Sequence, residues 1–588
     1  MMIYTNTKEK INECLEYVSK KEIIALDTET SGLDPLVDDV LLIAIGDAER
    51  QYVIDVAETK DHLDPLLQWL ELDKCIKVLH NAKFDYKMLK ANFYIDMQNL
   101  KDTFLMDCLI TQGQLTAQHS LDEVLSKYLG LSMSKEQQKT FVNMKLGDTF
   151  TDQQLKYAAD DVKNLIPLYE TLLLKIKQNN MGTLADLENE CLRATGDMEL
   201  NGIYLDRAKW LALKDSALAQ AVKAKEILNE HYKPYCKQDI FGNPDINYKS
   251  PKQILPILQQ ICSKEITSTG TDALKKYSNH PAVKSLLDYR IAMKKVNTYG
   301  EEFYDKNVHS VSGRIHAEFW QLGRAHTGRY ASSNPNMQNI PSEAEYRAAF
   351  TAQSPDYKII AADFSGQELR LLAHLSQEPK FLDALKRGVD LHTNSASLVF
   401  NIPYDDVSKK ERTAAKAITF GLIYGMGPMK LSHTLDINMQ EARYLINKYF
   451  FTFPYIKQAM DRLESHARRT HVALSPLDNR QSDLSSMDWE DGRQASHALN
   501  IAKNLPFQGT GASTTKLAMC RIKRRIDKYE YDARLINVVH DEILVEAHID
   551  CVDKVAKLVE TEMVTAFNFY APSVPMEADA HIGDCWIH

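Results

Sequence analysis

The chain has 588 residues and a mass of 67.0 kDa, more than one hydrophobic core holds, so roughly three to five structural units are expected. Hydrophobic residues make up 44% and charged residues 26%; the charged first residues, with no apolar core, and the want of any apolar run near the ~18 residues of a span lead to the expectation of a soluble protein, while nine cysteines with no CxxC pair argue against a disulfide framework and ribbon-type zinc and favour a reducing, cytoplasmic compartment. The net charge of −10 is uneven: residues 1–170 carry 18 Lys and Arg against 29 Asp and Glu, a net −11, so the remainder comes to +1 and is able to form a basic groove.

In chain order, KEIIALDTETSGLDP (21–35) reads as an apolar strand running into a turn. Side chains two apart on a strand share a face, so Asp27 and Glu29 point the same way. VLLIAIGDAERQYVID reads as two further strands about a Gly46-Asp47 turn, giving a small mixed α/β sheet. HNAKFDYKML supplies Asp85, and FTDQQLKYAADDVKNLIPLYETLL reads as a helix opened by a Thr151–Gln154 capping box. On that helix Tyr157 and Asp161 lie one turn apart on one face. Each of these acids alone is an ordinary solvated residue. Together, four carboxylates and a tyrosine fit a two-metal phosphodiesterase site, with the acids holding divalent ions and Tyr157 placing the attacking water.

Residues 170 to 310 read as charged helices broken by FGNPDINYKSP and STGTD, a helical bundle with solvated faces in which Lys249, Ser250 and Lys252, beside Pro251, are candidates for phosphate contact. KIIAADFSGQELRLLAHL is a strand running into a helix, with Asp363 at the strand end and Glu368 one turn on. VSKKERTAAKAITFGLIYGMGP reads as a helix opened by a Ser408–Glu411 capping box and closed by Gly425-Met426-Gly427-Pro428. Arg412, Lys416, Phe420 and Tyr424 recur every four residues, drifting about 40° per step, and share one broad face. A core face would not bury Arg and Lys unpaired. The stripe suits a nucleoside triphosphate lying along the helix, cations on the phosphates and aromatics on sugar and base.

NVVHDEILVE (537–546) reads as a hairpin with Asp541 and Glu542 in its tight connection. Carboxylates between apolar runs need a positive partner; if Asp363 meets Asp541, two magnesium ions about 3.5–4 Å apart supply it. CRIKRRIDKY, with Arg521, Lys523, Arg524 and Arg525, reads equally as a phosphate-tracking stripe and as a solvated helix face.

The order DTET, NAKFD, YAADD resembles the proofreading 3′–5′ exonuclease domain of the DnaQ-like, ribonuclease H-fold kind. DFSGQELR, RTAAKAITFGLIYG and VHDE, with TGRYASSNPNMQNIP, resemble family A (Pol I-like) DNA polymerases, and the likeness runs from about residue 20 to the end. It implies a multidomain α/β chain: a ribonuclease H-like exonuclease domain over 1–180, then a right-hand polymerase domain over 181–588 with thumb about 190–310, palm about 311–380 and 504–588, and fingers about 381–503.

By the same resemblance, Asp27, Glu29, Asp85 and Asp161 are exonuclease metal ligands, with Tyr157 catalytic beside them. Asp363, the Phe364 backbone and Asp541 are polymerase metal ligands, with Glu542 in support. Arg412 and Lys416 bind the triphosphate, Lys416 also giving a proton to the leaving pyrophosphate. Phe420, Tyr424 and His392 bind the nucleotide, and Glu368 blocks a 2′-hydroxyl. Arg329, Gln338, Asn339, Asn504, Gln508 and His540 touch primer–template DNA.

The implied cofactor is Mg2+, two ions per active site, with Mn2+ a possible substitute. The implied partners are primer–template DNA and deoxynucleoside triphosphates, with unidentified replisome partners, for a monomer engaged in DNA replication. Larger members carry an additional N-terminal 5′ nuclease, for which this length leaves no room, and the arrangement is closer to compact bacteriophage replicative polymerases acting in the bacterial host cytoplasm. Departures from the bacterial pattern are Gly366-Gln367, where Gln-Ile is usual, and Thr413 and Thr419. The thumb lacks the long insertion with which one phage relative binds a host processivity protein. Two rivals share these motifs: a nuclease with a DNA-binding module, which the intact Asp363, Asp541 and Lys416 disfavour, and an RNA polymerase, which Glu368 disfavours.

Overall fold

Strands whose residues are apolar on both faces need cover on both sides, and the amino-terminal region of the computed structural model, which describes residues 1–114, 116–133 and 137–587, is built on such strands. Six strands, β1 (Met2–Thr5), β2 (Ile23–Thr30), β3 (Val40–Gly46), β4 (Gln51–Asp55), β5 (Ile76–Leu79) and β6 (Leu100–Asp102), lie in the order β1-β4-β3-β2-β5-β6. All seven residues of β3 are buried. β2 runs antiparallel to β3 and parallel to β5, so the sheet is mixed, as its sequence implied. The β2–β3 register slips between Glu29 and Thr30, an irregularity of the kind that re-aims side chains beside functional sites.

Four helices bring the remaining chemistry to that sheet. α1 (Ala82–Phe93) begins after a left-handed Asn81, with the backbone N–H groups of Asn81 and Ala82 donating to Asp102 at 2.8 and 3.1 Å. α2 (Thr103–Ile110) and α3 (Leu121–Leu129) follow. α4 (Asp152–Lys163) opens at the expected capping box, in which Thr151 N donates to Gln154 Oε1 at 3.0 Å and Gln154 N to Thr151 Oγ1 at 3.3 Å.

The chain falls into two compact units, one of residues 1–202, 317–338 and 356–583, the other of residues 203–316, 339–355 and 584 onward. The first unit also contains helix α5 (Gly182–Asn201) and a four-stranded antiparallel sheet of β7 (Tyr357–Phe364), β8 (Ala533–Val539), β9 (Glu542–His548) and β10 (Ala578–Gly583), in the order β8-β9-β7-β10. Around it lie α6 (Gln367–Ser376), α7 (Leu391–Phe400), α8 (Lys409–Ile423), the 38-residue α9 (Gly492–Tyr529) and α10 (Val552–Tyr570). α9 is stitched to α5 by a fully buried ion cluster: Lys516 Nζ donates to both Glu188 oxygens at 2.7 and 2.8 Å, and Arg480 Nη2 to Glu188 Oε1 at 3.0 Å. Each charge is buried only because its partners are; removal of one member leaves an uncompensated ion.

In the second unit the helices Arg207–Tyr232 and Pro281–Thr298 pack on each other, Pro251 opens a helix that runs to Ile261, and Trp210 is wholly buried among Tyr299, Phe303, Tyr346 and Phe350. Lys249 and Lys252 are exposed there. No helix among the described residues is long and apolar enough to cross a membrane.

Candidate active sites

β2, α1 and α4 converge on a cavity of about 580 Å³ lined by Asp27, Glu29, Asp85, Tyr157 and Asp161, the five residues that the spacing grouped together. Carboxylate oxygens of Asp27, Glu29 and Asp161 all lie within 4.8 Å of one another. Asp85 stands on the same cavity with its Oδ1 held by Thr28, whose N–H and hydroxyl donate at 3.0 and 2.7 Å. Such crowding disfavours ionisation. Burial, then the charges of Asp85, Asp161 and Glu29, pushes Asp27 well above the usual carboxylate range; burial, then Asp161 and Asp85, does the same to Glu29. Burial lifts Asp85 and Asp161 to about 7 each. Tyr157, hydrogen-bonded to Asp161, is also raised, by burial and then by the surrounding acids. Glu29 Oε1 is buried with no hydrogen-bond partner. An orphaned oxygen and a trio of repelling carboxylates are what a divalent cation resolves, so the donor set fits one.

The second constellation sits at one end of the four-stranded sheet. β7 pairs with β9 so that Ala362 faces Ile543, which brings Asp363 and Asp541 to the same end. Phe364, the last residue of β7, pairs with Ala578 of β10. The hairpin differs by one residue from the expected one: the connection is His540-Asp541, and Glu542 is the first residue of β9, buried and paired with Val539. A two-residue hairpin turn needs positive φ, and His540 adopts φ 57°. Gln338 spans this turn, its Nε2 donating to Val538 O at 2.6 Å and its Oε1 accepting from His540 N at 3.1 Å.

α8 opens at its capping box, Ser408 N donating to Glu411 Oε2 at 2.8 Å, and ends at Tyr424 before a left-handed Gly425. Ala415, Ile418 and Thr419 form its buried face, whereas Lys416 and Tyr424 are exposed and Arg412 and Phe420 half-buried, so the cation–aromatic stripe faces outward. Phe420 and Tyr424 stack at 6.3 Å, His392 lies 5.6 Å from Phe420, and Lys416 Nζ lies 6.0 Å from the Phe420 ring. Arg412 is held by Asp390 through two hydrogen bonds of 2.9 Å. Glu368, the second residue of α6, accepts from Arg329 Nη2 at 2.6 Å and from the Tyr424 hydroxyl. Gln508 also bonds Tyr424, and Asn504 Oδ1 is buried without a hydrogen-bond partner. Asn339 belongs to the other unit, where its carbonyl accepts from Tyr299 OH at 2.5 Å.

The basic run on α9 is not a free stripe. Arg521 and Arg525 bond Glu562 at 2.6 and 2.9 Å, Lys523 reaches Asp197 at 2.5 Å, and Arg524 reaches Glu190 at 2.9 Å. The spacing of acids also missed part of the first cavity: His80, Phe104 and His119, and, far along the chain, Trp320, Leu322, Gly323 and Arg324, line it as well. The only local signal was His119 ahead of the Ser120–Glu123 capping box that opens α3.

A family model described as DNA polymerase family A matches residues 219–588, and one described as 3'-5' exonuclease matches residues 2–177. The chain is 30% identical to a DNA polymerase I of Aquifex aeolicus over 99% of both chains. It is 30% identical to that of Pseudomonas aeruginosa over 97% of this chain and 64% of the relative, and 33% identical to that of Geobacillus stearothermophilus over 71% of this chain and 48% of the relative. Among solved structures, the POL domain of Pol1 from M. smegmatis, in complex with DNA primer-template and dNTP, superposes with a TM-score of 0.85 at 25% identity, covering 100% of this chain and 99% of that one.

Proposed function

That the chain belongs to the family A DNA polymerases and carries a 3′–5′ exonuclease domain is the premise from which we propose how its residues divide the work. The exonuclease domain spans 1–180 and the polymerase domain 181–588, with thumb, palm and fingers over about 190–310, about 311–380 with 504–588, and about 381–503. Synthesis is carried by the outward stripe of α8 that ends against Glu368, the observation that most supports this reading. Arg412 and Lys416 hold the triphosphate of an incoming deoxynucleotide, and Lys416 Nζ gives a proton to the departing pyrophosphate. Phe420, Tyr424 and His392 flank sugar and base. Glu368, fixed by Arg329 and Tyr424, fills the space a 2′-hydroxyl would need.

Asp363 and Asp541, with the Phe364 carbonyl and Glu542 in support, would hold two divalent ions at the polymerase site; Asp27, Glu29, Asp85 and Asp161 would hold two at the exonuclease site. Mg2+ is the ion we assign, with Mn2+ a possible substitute; bound there, it neutralises charge and acts as a Lewis acid at phosphorus. Tyr157 orients the water that attacks a mispaired 3′ end. Arg329, Gln338, Asn339, Asn504, Gln508 and His540 take the primer–template, polar side chains testing pair shape in the minor groove without reading sequence. The narrower reading is a monomeric replicative enzyme of bacteriophage type in a bacterial cytoplasm, whereas the relatives named above are bacterial.

The test is one labelled primer–template incubated with Mg2+. Products longer than the primer with deoxynucleotides, and shorter without them, are expected. Shortening under both conditions would leave only a nuclease with a DNA-binding module.

A further inference from the structure

The exonuclease cavity is backed by a carboxylate that hydrolysis does not use. Asp107, on α2, is fully buried, and three donors converge on it: His119 Nδ1 at 2.6 Å, Tyr128 OH at 2.7 Å and Lys127 Nζ at 3.2 Å. Burial pushes this carboxyl up, but the bonds from His119 and Tyr128 and the charge of Lys127 hold it below the usual range. An ionised carboxylate only accepts, so Nδ1 carries the hydrogen and Nε2 is the nitrogen left on the far side of the ring.

His119 lines the cavity that Asp27, Glu29 and Asp161 also line, and Asp107 does not; with Nδ1 taken by Asp107, Nε2 is the ring nitrogen left for a ligand there. The imidazole is held further by an edge contact with Phe104 at 5.7 Å, and its backbone carbonyl accepts from His80 Nε2 at 2.9 Å. Acids that hold divalent ions would present no donors to a neighbouring phosphate, so an anionic strand would find its donors among the other lining residues. There, both His80 nitrogens are already engaged and Arg324 is exposed, lying 4.6 Å over the Trp320 ring. His119 is the buried-side group whose direction is fixed by a charge partner.

We propose that His119, taking up a proton at Nε2 as the strand binds, donates that N–H to a phosphodiester group of a single-stranded DNA 3′ end, one linkage back from the bond cleaved, and that Asp107, which accepts from Nδ1, is its positioning residue. The acid cluster would take the scissile linkage, which leaves the neighbouring one for the other lining residues. This assignment rests on the exonuclease reading above. The rival is a structural clamp, in which the Asp107–His119 pair only fastens the loop ahead of α3.

Two substitutions divide these roles. In His119→Asn the amide stands near Nδ1 and keeps the bond to Asp107 while Nε2 is lost; in His119→Gln the amide stands near Nε2. The full chain is titrated in EDTA with a short 5′-labelled single strand, read by fluorescence anisotropy, alongside strands carrying a neutral methylphosphonate at each of the last three linkages. One methylphosphonate should weaken binding to the unsubstituted protein about tenfold, the size of one hydrogen bond to a charged group. His119→Asn should bind the natural strand about as weakly and be indifferent to that methylphosphonate, and His119→Gln should recover part of the affinity. Primer extension by each variant reports an intact fold. His119→Asn binding like the unsubstituted protein, with the same methylphosphonate sensitivity, overturns the proposal in favour of the clamp. Failure of the unsubstituted protein to shorten a 3′ end with Mg2+ would instead overturn the exonuclease reading.

Discussion

Replacing Asp161 by Asn should stabilise the protein in the absence of divalent ions. Asp161 is lifted from 3.8 to about 7 by burial, against its bond from Tyr157. A group whose folded value is raised keeps its proton in the fold where the unfolded chain has lost it, so stability falls as pH rises from about 4 to about 7 and stays low above. Three units at about 1.36 kcal/mol each set an upper limit near 4 kcal/mol. Because Asp27, Glu29 and Asp85 share the strain and relax together, and because the variant alters the Tyr157 bond, the expected gain is about 1–3 kcal/mol at pH 8, closing near pH 4. Urea denaturation of the full chain in chelator at the two pH values measures it. Added Mg2+ should then stabilise the unsubstituted protein and not Asp161→Asn, since only a site that binds in the folded state shifts the balance. An Asp161→Asn protein less stable than the original at pH 8 in chelator, or a difference that does not change with pH, would refute the argument.

Other consequences are as direct. Glu368→Ala should raise ribonucleotide insertion by about tenfold to a hundredfold, the discrimination a pocket exerts against one hydroxyl; no change in the ratio of ribonucleotide to deoxynucleotide kcat/KM would remove Glu368 from sugar selection. Glu188→Ala leaves the fully buried Lys516 without its carboxylate and Arg480 with Asp478 alone, and should cost about 3–5 kcal/mol of stability; a loss under about 1 kcal/mol in urea would mean that water reaches the cluster.

Local chemistry was legible in the sequence where neighbours along the chain decide it. The boxes at Thr151–Gln154 and Ser408–Glu411 involve residues three apart, and both formed. Asp27 and Glu29 share a strand face by geometry alone. The acidic hairpin was legible to within one residue, because the turn depends on which residue accepts positive φ, and His540 rather than Asp541 takes it. What the sequence hides is long-range charge pairing. Arg521, Lys523, Arg524 and Arg525 read equally as a phosphate track and as a solvated helix face until Glu562, Asp197 and Glu190 are set beside them. Glu188, Arg480 and Lys516 lie up to 328 positions apart, and nothing in their local patterns marks them as partners. Trp320 and Arg324 reach the exonuclease cavity in the same way, through the fold and not through spacing.

Two separate acidic sites doing two opposed reactions on one DNA end are the central proposal. Primer length followed on a single labelled primer–template, for Asp541→Ala and Asp27→Ala side by side, tests that most directly. Asp541→Ala should stop extension and keep 3′ shortening; Asp27→Ala should keep extension and stop shortening. Loss of both activities in either variant, with its urea transition unchanged, would contradict it.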